Sequence, residues 1–163
     1  MTIDIDIEKY KLSKKRLWNE FRKLTINPIY DIKVNLKNND LFNWELTLPG
    51  PKGSPYESGI FILSFIFPSN YPFKYPDVKF ITPILHPKVN ESGQFCCHYL
   101  VDNWSPYKKV SEFIEKIVLM LINPLDEDGF CILNPPMASE YSSDKIKFET
   151  KIKDFIKKNN FVK

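Results

Sequence analysis

The stretch from Ile32 to Leu48 reads IKVNLKNNDLFNWELTL and decides how the first half of the chain folds. Apolar and polar residues alternate over 32–36 and again over 42–48. Alternation with a period of two predicts strands with one buried face. The residues between the two runs, Asn38-Asn39-Asp40, are typical of a tight turn. The stretch therefore predicts an antiparallel strand pair.

The elements on either side of this pair follow from the same patterns. Residues 59–67 are apolar except for Ser64, which predicts a central strand covered on both faces. The pattern also predicts a strand over 78–81, helices over 8–25, 110–121, 136–141 and 144–159, and an irregular segment over 82–109. The order predicts one α+β domain over residues 1–163, with a helix, a four-stranded antiparallel meander, a long loop segment, a central buried helix and C-terminal helices.

Two of the predicted helices have informative faces. In the first, Leu17, Trp18, Phe21 and Leu24 form one apolar stripe. The helix over 110–121 is apolar nearly all round, so we expect it in the core.

Composition narrows the classes of function. The chain has 23 Lys and Arg against 20 Asp and Glu, and a formal charge of +3 is too small to imply nucleic acid. No stretch reaches the roughly 18 apolar residues that span a membrane, and the acidic start does not resemble a signal peptide. We expect a protein of the cytoplasm or nucleus, in a reducing compartment.

The segment from His86 to His98 concentrates reactive side chains. It holds both histidines and two of the three cysteines of the chain. Adjacent Cys96 and Cys97 cannot bridge without strain. The residues leave four interpretations open: cysteines that fill the core, a zinc site that adds Cys131, a cysteine–histidine dyad, or a thiol transferase.

An ordered series of short motifs separates these interpretations. The chain resembles the ubiquitin-conjugating enzymes from about Lys14 to Asn159, with the motifs in the family order. They are Phe42-Asn43-Trp44, Gly50-Pro51, Ser54-Pro55-Tyr56, Gly59-Ile60-Phe61, Phe67-Pro68, Tyr71-Pro72-Phe73-Lys74, Pro76, His86-Pro87, Gly93, Cys96, Asn103-Trp104-Ser105-Pro106, Glu140-Tyr141 and Asp144.

The resemblance implies a fold and an activity. The fold is the one predicted above, with residues 82–109 as its active-site segment. The activity is that of an acyltransferase, in which Cys96 accepts ubiquitin or a ubiquitin-like protein as a thioester from an activating enzyme. The acyl group then passes to a lysine or to a ligase of the RING, HECT or RBR type. ATP is used upstream, so we expect no bound cofactor or metal. The alternative is a non-catalytic variant that serves as a scaffold.

The resemblance also assigns contact surfaces. Lys15 and Arg16 match the basic residues that meet the activating enzyme and the ligase. Phe73, Ser105 and Pro106 match the ligase contact.

Two positions of the site depart from the family. Lys88 stands where the family has Asn, and could supply an oxyanion donor, favour the Cys96 thiolate, or point to solvent. His98 stands where many lysine-directed members have Asp, whereas Asp128 matches a second acidic position. His86 is expected to shape the turn, and Cys97 to fill the core. We therefore expect transfer to a ligase cysteine to be preferred over direct transfer to lysine.

Overall fold

The computed structural model describes residues 2–125, 131–159 and 161–162. Its elements are α1 (Thr2–Ile26), β1 (Lys33–Leu36), β2 (Asn43–Pro49), β3 (Ile60–Ile66), β4 (Asp77–Phe80), α2 (His98–Asp102), α3 (Val110–Ile122), α4 (Pro135–Ser143) and α5 (Lys145–Lys158). A single 3-10 turn over Lys37–Asn39 joins β1 to β2. This order confirms the predicted α+β architecture. Among the described helices, none is both long enough and apolar enough to span a bilayer.

The four strands form an antiparallel sheet in the order β1-β2-β3-β4. One row of buried side chains crosses the sheet, because Val34 pairs with Leu46, Leu46 with Leu63, and Leu63 with Phe80. Burying such a side chain contributes on the order of 1.5–3 kcal/mol. The row fixes the strand register, since a shift of one residue would turn these side chains to the other face.

β3 is covered on one face only, which corrects the prediction for it. Phe61, Leu63 and Phe65 are buried, whereas Ile66 is 45% exposed. The continuous apolar run suggested a strand covered on both sides, but the burial alternates along it. The second face of this sheet is therefore partly open although it carries isoleucine.

α1 starts at Thr2 instead of residue 8, and its buried face differs from the predicted one. Leu17 is buried as expected, but Trp18 is 51% exposed. Ser13 and Glu20 are buried in its place. Positions 13, 17, 20 and 24 follow helical spacing, so the true stripe includes two polar residues that the apolar pattern passed over.

Residues 82–109 have more structure than the sequence predicts. They contain the five-residue helix α2 and the isolated bridge Val89–Phe95, and Gln94 forms a further bridge with Lys79 of β4. These units are too short to leave a periodic pattern. α3 follows in the core as predicted, although its Leu119 is 48% exposed.

Candidate active site

A tight hairpin, called here the active-site hairpin (residues 88–96), presents the first candidate cysteine. The Asn90 side-chain oxygen accepts a hydrogen bond of 3.0 Å from the backbone N–H of Gln94. Gly93 has a φ of +81°, and a Cβ there would lie 2.0 Å from the carbonyl oxygen of Phe80. Only glycine fits this turn without displacing β4.

Backbone contacts close the hairpin. Val89 and Phe95 form a bridge, and the N–H of Cys96 donates to the carbonyl of Lys88 at 3.0 Å. α2 begins at His98, two residues later. Cys96 is therefore held at the junction between a closed hairpin and a short helix.

His86 connects the turn before the hairpin to the core. It is fully buried, its Nδ1 accepts from the N–H of Lys88 at 2.9 Å, and its Nε2 lies 3.0 Å from the carbonyl of Met120 on α3. Because Nδ1 is an acceptor, the ring is neutral and Nε2 donates. Both nitrogens are engaged, which agrees with a positioning role for His86.

Cys96 is bonded to Cys131. The two residues lie 35 positions apart, with a Cα–Cα distance of 5.9 Å, and their sulfurs form a disulfide. The sequence predicts a free thiol at Cys96, and the disulfide with Cys131 corrects this prediction. Cys97 is the free cysteine of the described residues.

The position of Cys131 depends on the turn before the hairpin. Its φ is +69°, a region that residues other than glycine seldom occupy. Just beyond it, the N–H groups of Leu133 and Asn134 both donate to the carbonyl of Pro87, at 3.0 and 2.9 Å. The next carbonyl along that turn accepts the N–H of Cys96. The segments that carry Cys131 and Cys96 are thus hydrogen-bonded to two consecutive carbonyls, those of Pro87 and Lys88.

Cys97 lies in a different environment from Cys96. It is half-buried and packs against the hydrophobic core. Burial raises the pKa of the Cys97 thiol, and the carboxylates of Asp77 and Asp102 raise it further. Cys97 is therefore a neutral thiol near pH 7, in keeping with its interpretation as core filler.

The other residues predicted for the active site are Lys88, His98 and Asp128. Lys88 is only 6% exposed, which argues against the alternative that it points to solvent. His98 is exposed at the start of α2. Asp128 lies outside the described residues. The roles of Lys88 as an oxyanion donor or as a partner for a thiolate stay predictions.

The zinc interpretation meets a chemical obstacle. Donor atoms of Cys96, His98 and Cys131 lie within 4.8 Å of one another, whereas His86 is not part of this group. Zinc binds thiolates and takes four ligands in structural sites. In the disulfide the two sulfurs are bonded to each other and offer no thiolate.

The predicted partner-facing residues lie at the other end of α3 from the Met120 contact. Lys15 is exposed, as is Phe73 at 58%. The Arg16 guanidinium donates to the carbonyls of Pro106 at 2.9 Å and Lys108 at 2.7 Å. Arg16 therefore holds the loop that contains Pro106, and its contact with a partner stays a prediction.

A buried carboxylate organises this end of the molecule. Glu20 accepts from the Tyr71 hydroxyl at 2.8 Å and from the backbone N–H of Val110 at 2.7 Å, and it pairs with Arg16. We call these four residues the Glu20 junction. Burial raises the pKa of Tyr71 well above its usual value, and the neighbouring carboxylate of Glu20 raises it further. The junction joins α1, the β3–β4 connector and the first residue of α3.

The loop after α2 is also held by a contact with the β3–β4 connector. Trp104 donates through Nε1 to the carbonyl of Pro72 at 2.7 Å. Ser105 and Pro106 are half-exposed, and Tyr107 is 89% exposed. Neither Tyr107, as a member of this surface, nor Glu20, as its support, is among the residues predicted from the sequence. The signal for Glu20 was its helical spacing with Leu17.

Comparisons with known proteins agree with the family that the sequence motifs indicate. The family model described as ubiquitin-conjugating enzyme matches residues 16–156. The fold is similar to that of a Plasmodium yoelii protein assigned to the ubiquitin-conjugating enzymes, with a TM-score of 0.82, 27% identity, and coverage of 92% of this chain and 95% of that one. It is also similar to the E2 domain of a Toxoplasma gondii ubiquitin-conjugating enzyme, with a TM-score of 0.80, 26% identity, and coverage of 92% and 99%.

Proposed function

This chain belongs to the ubiquitin-conjugating enzyme family, and from that premise we propose that it carries ubiquitin or a ubiquitin-like modifier as a thioester on Cys96. The modifier arrives from an activating enzyme and leaves for a ligase cysteine or a substrate lysine. The observation that carries the proposal is the placement of Cys96, which ends a hairpin closed on Lys88 and follows Gly93 at the family spacing.

The transfer step requires the reduced form of Cys96. Its thiolate attacks the thioester carbonyl on the activating enzyme, a new C–S bond forms, and the donor cysteine leaves as a thiolate. Negative charge develops on the carbonyl oxygen in the transition state. The buried side chain of Lys88, at the start of the hairpin, is the proposed cationic donor to that oxygen.

A charging assay tests the proposal. The protein is first reduced, then incubated with activating enzyme, ATP and each of a panel of modifiers, and run on a non-reducing gel. We expect a reducible adduct of one modifier mass that is absent in Cys96→Ser. Cys97→Ser, which removes the neighbouring thiol, is the matched control and should still charge.

The choice of acceptor is a further part of the proposal. A free lysine has a pKa of about 10.4 and must lose a proton before it attacks, whereas thioester exchange with a cysteine does not require a neutral amine. His98 occupies the position where an acid would assist. We therefore propose that the charged protein discharges to free cysteine rapidly and to free lysine slowly.

An exposed position allows a clean test of acceptor choice. His98 is exposed, so His98→Asp should leave the fold intact. In this variant the rate of discharge to lysine should rise by about 100-fold, the lower end of what one general base contributes, while discharge to cysteine stays unchanged. Rapid lysine discharge by the unaltered protein would contradict the proposed preference.

A second candidate function follows from the disulfide. Because the cystine occupies Cys96, the oxidised protein fits a non-catalytic scaffold that binds a modifier or a partner enzyme. The two candidates differ in the charging assay. Failure of the reduced protein to charge with every modifier, together with modifier binding in solution, would favour the scaffold.

A further inference from the structure

We propose that Cys96 and Cys131 form a reversible redox pair, in which oxidation closes the disulfide and removes the thiol on which the proposed function rests. Reduction would restore Cys96 to the thiolate-forming state. Cys131 is then the resolving cysteine, a role distinct from the transfer chemistry. The bond itself is the starting observation.

Backbone hydrogen bonds hold the two segments together in addition to the disulfide. Leu133 and Asn134 donate to Pro87, and Cys96 donates to Lys88, so both segments are attached to one turn by contacts that do not involve the sulfurs. The Cα–Cα distance of 5.9 Å falls within the range of about 4.4–6.8 Å that a disulfide requires. Opening and closing the bond therefore needs no rearrangement of the hairpin.

Access and selectivity also favour this pair. Cys96 and Cys131 are each partly exposed, so a small oxidant or reductant can reach them. Cys97 is adjacent to Cys96, where a bridge would be strained, and burial raises the pKa of its thiol. Cys131 is therefore the partner that can resolve an oxidised Cys96.

The chemistry balances with hydrogen peroxide, the simplest hydroperoxide, as the oxidant. The Cys96 thiolate attacks a peroxide oxygen, the O–O bond breaks, and a sulfenic acid forms with release of the first water after protonation. The Cys131 thiolate then attacks that sulfur, the S–S bond forms, and the S–O bond breaks to release the second water. Two thiols lose two electrons to one peroxide. A dithiol reverses the bond by two exchange steps and leaves as its own disulfide.

A count of free thiols tests the disulfide without reference to activity. The folded protein is treated with dithiol or hydroperoxide, and its thiols are counted after denaturation. After dithiol treatment and removal of the dithiol, an alkylating reagent should modify all three cysteines once the chain is denatured. After hydroperoxide treatment only Cys97 should be modified, with the mass lower by two hydrogen atoms before alkylation. A bond that resists dithiol in the folded protein would overturn the proposal. So would stoichiometric zinc that shields both Cys96 and Cys131.

Recovery of charging tests the resolving role. The reduced protein is treated with hydroperoxide, the oxidant is removed, and dithiol is added and removed before charging. The unaltered protein should lose charging by about tenfold or more and regain it. Cys131→Ser should charge normally when reduced, but should not recover, because an unresolved sulfenic acid is oxidised further to sulfinic acid. Cys97→Ser should behave as the unaltered protein does.

The outcomes separate the two proposals. Equal recovery by Cys131→Ser and the unaltered protein would overturn the resolving role. If the reduced protein charges with no modifier, the proposed function fails, while the thiol count still decides whether the redox pair exists.

Discussion

The active-site hairpin and the Glu20 junction both support exposed residues, but they are held in different ways. The hairpin is closed mainly by contacts between residues near in sequence, such as Asn90 with Gln94 at a separation of four. The junction is made by side chains, and Glu20 bonds partners 51 and 90 positions away, at Tyr71 and Val110.

This difference determines what each region tolerates. A turn held by local contacts depends on backbone conformation and on the absence of a side chain at Gly93. A junction built on one buried carboxylate depends on that charge, because each of its donors would be left without its acceptor. A substitution that adds atoms to the hairpin should therefore destabilise it, whereas the junction should be destabilised by loss of the Glu20 charge.

Removal of the carboxylate at the junction should have the largest effect on stability. Glu20→Ala leaves the guanidinium of Arg16, the hydroxyl of Tyr71 and the N–H of Val110 without this acceptor. We expect the free energy of unfolding, measured with urea, to fall by about 3 kcal/mol. A loss below about 1 kcal/mol would show that the network is not a structural support.

A matched control for that variant lies on the same helix. Glu8 pairs with Lys11 at 3.1 Å, but both side chains are about two-thirds exposed, at 68% and 67%. Glu8→Ala should change the free energy of unfolding by less than about 0.5 kcal/mol. Comparison of Glu20→Ala with Glu8→Ala separates the effect of burial on stability from the effect of losing an ion pair.

Addition of one methyl group should test the hairpin. Gly93→Ala places a Cβ 2.0 Å from the Phe80 carbonyl at a φ of +81°, so the turn or β4 must move. We expect a loss of about 2 kcal/mol in urea unfolding, and slower charging of Cys96. Gly53→Ala is the control, because its φ is +75° but no atom lies within 4 Å. It should cost about 1 kcal/mol and leave charging unchanged.

The same contrast explains which features the sequence predicts. Alternation over 32–36 and 42–48 and the turn at Asn38-Asn39-Asp40 are local signals, and the motifs around Cys96 lie within one segment. Glu20 was missed because a charged residue on a helix is normally assigned to the solvated face. Its burial depends on Tyr71, whose position is set by the β3–β4 connector and not by α1.

The disulfide between Cys96 and Cys131 could not be predicted from the sequence, for a related reason. Cys131 meets Cys96 because its backbone adopts a positive φ and the residues after it bond to Pro87. Neither feature leaves a pattern in the sequence. Trp18 shows the opposite error, since it was assigned to the apolar stripe with Leu17, Phe21 and Leu24 but is 51% exposed.

The surface supported by the junction should affect function without affecting stability. Phe73 is 58% exposed, so Phe73→Ala should change the free energy of unfolding by no more than about 0.5 kcal/mol. Ligase-stimulated discharge should fall by about tenfold or more if this ring is an anchor for the ligase. Ile146→Ala, at an 81% exposed position on α5, is the control and should retain discharge. Equal rates in the two variants would remove Phe73 from the contact.

A carboxylate outside both regions should give the smallest effect, which appears only in acid. Glu140 accepts from Lys151 at 3.0 Å, and this hydrogen bond, opposed by some desolvation and aided by the charges of Lys151 and Lys147, lowers the pKa of Glu140. The folded state then binds this proton less readily than the unfolded state does. The contribution of ionised Glu140 to the free energy of unfolding is complete above the unfolded pKa of about 4.3. It is lost as the pH falls through the lower pKa of the folded state.

Glu140→Gln should therefore flatten the fall in stability on acidification, measured by urea unfolding between about pH 6 and pH 3. In a Lys151→Met background the same substitution should have a smaller effect, because the main cause of the lowered pKa is gone. Equal slopes for the unaltered protein and Glu140→Gln would contradict the assignment. Since the paired lysine Lys151 is 48% exposed, screening by salt should weaken this effect, whereas it should leave the contribution of buried Glu20 largely intact.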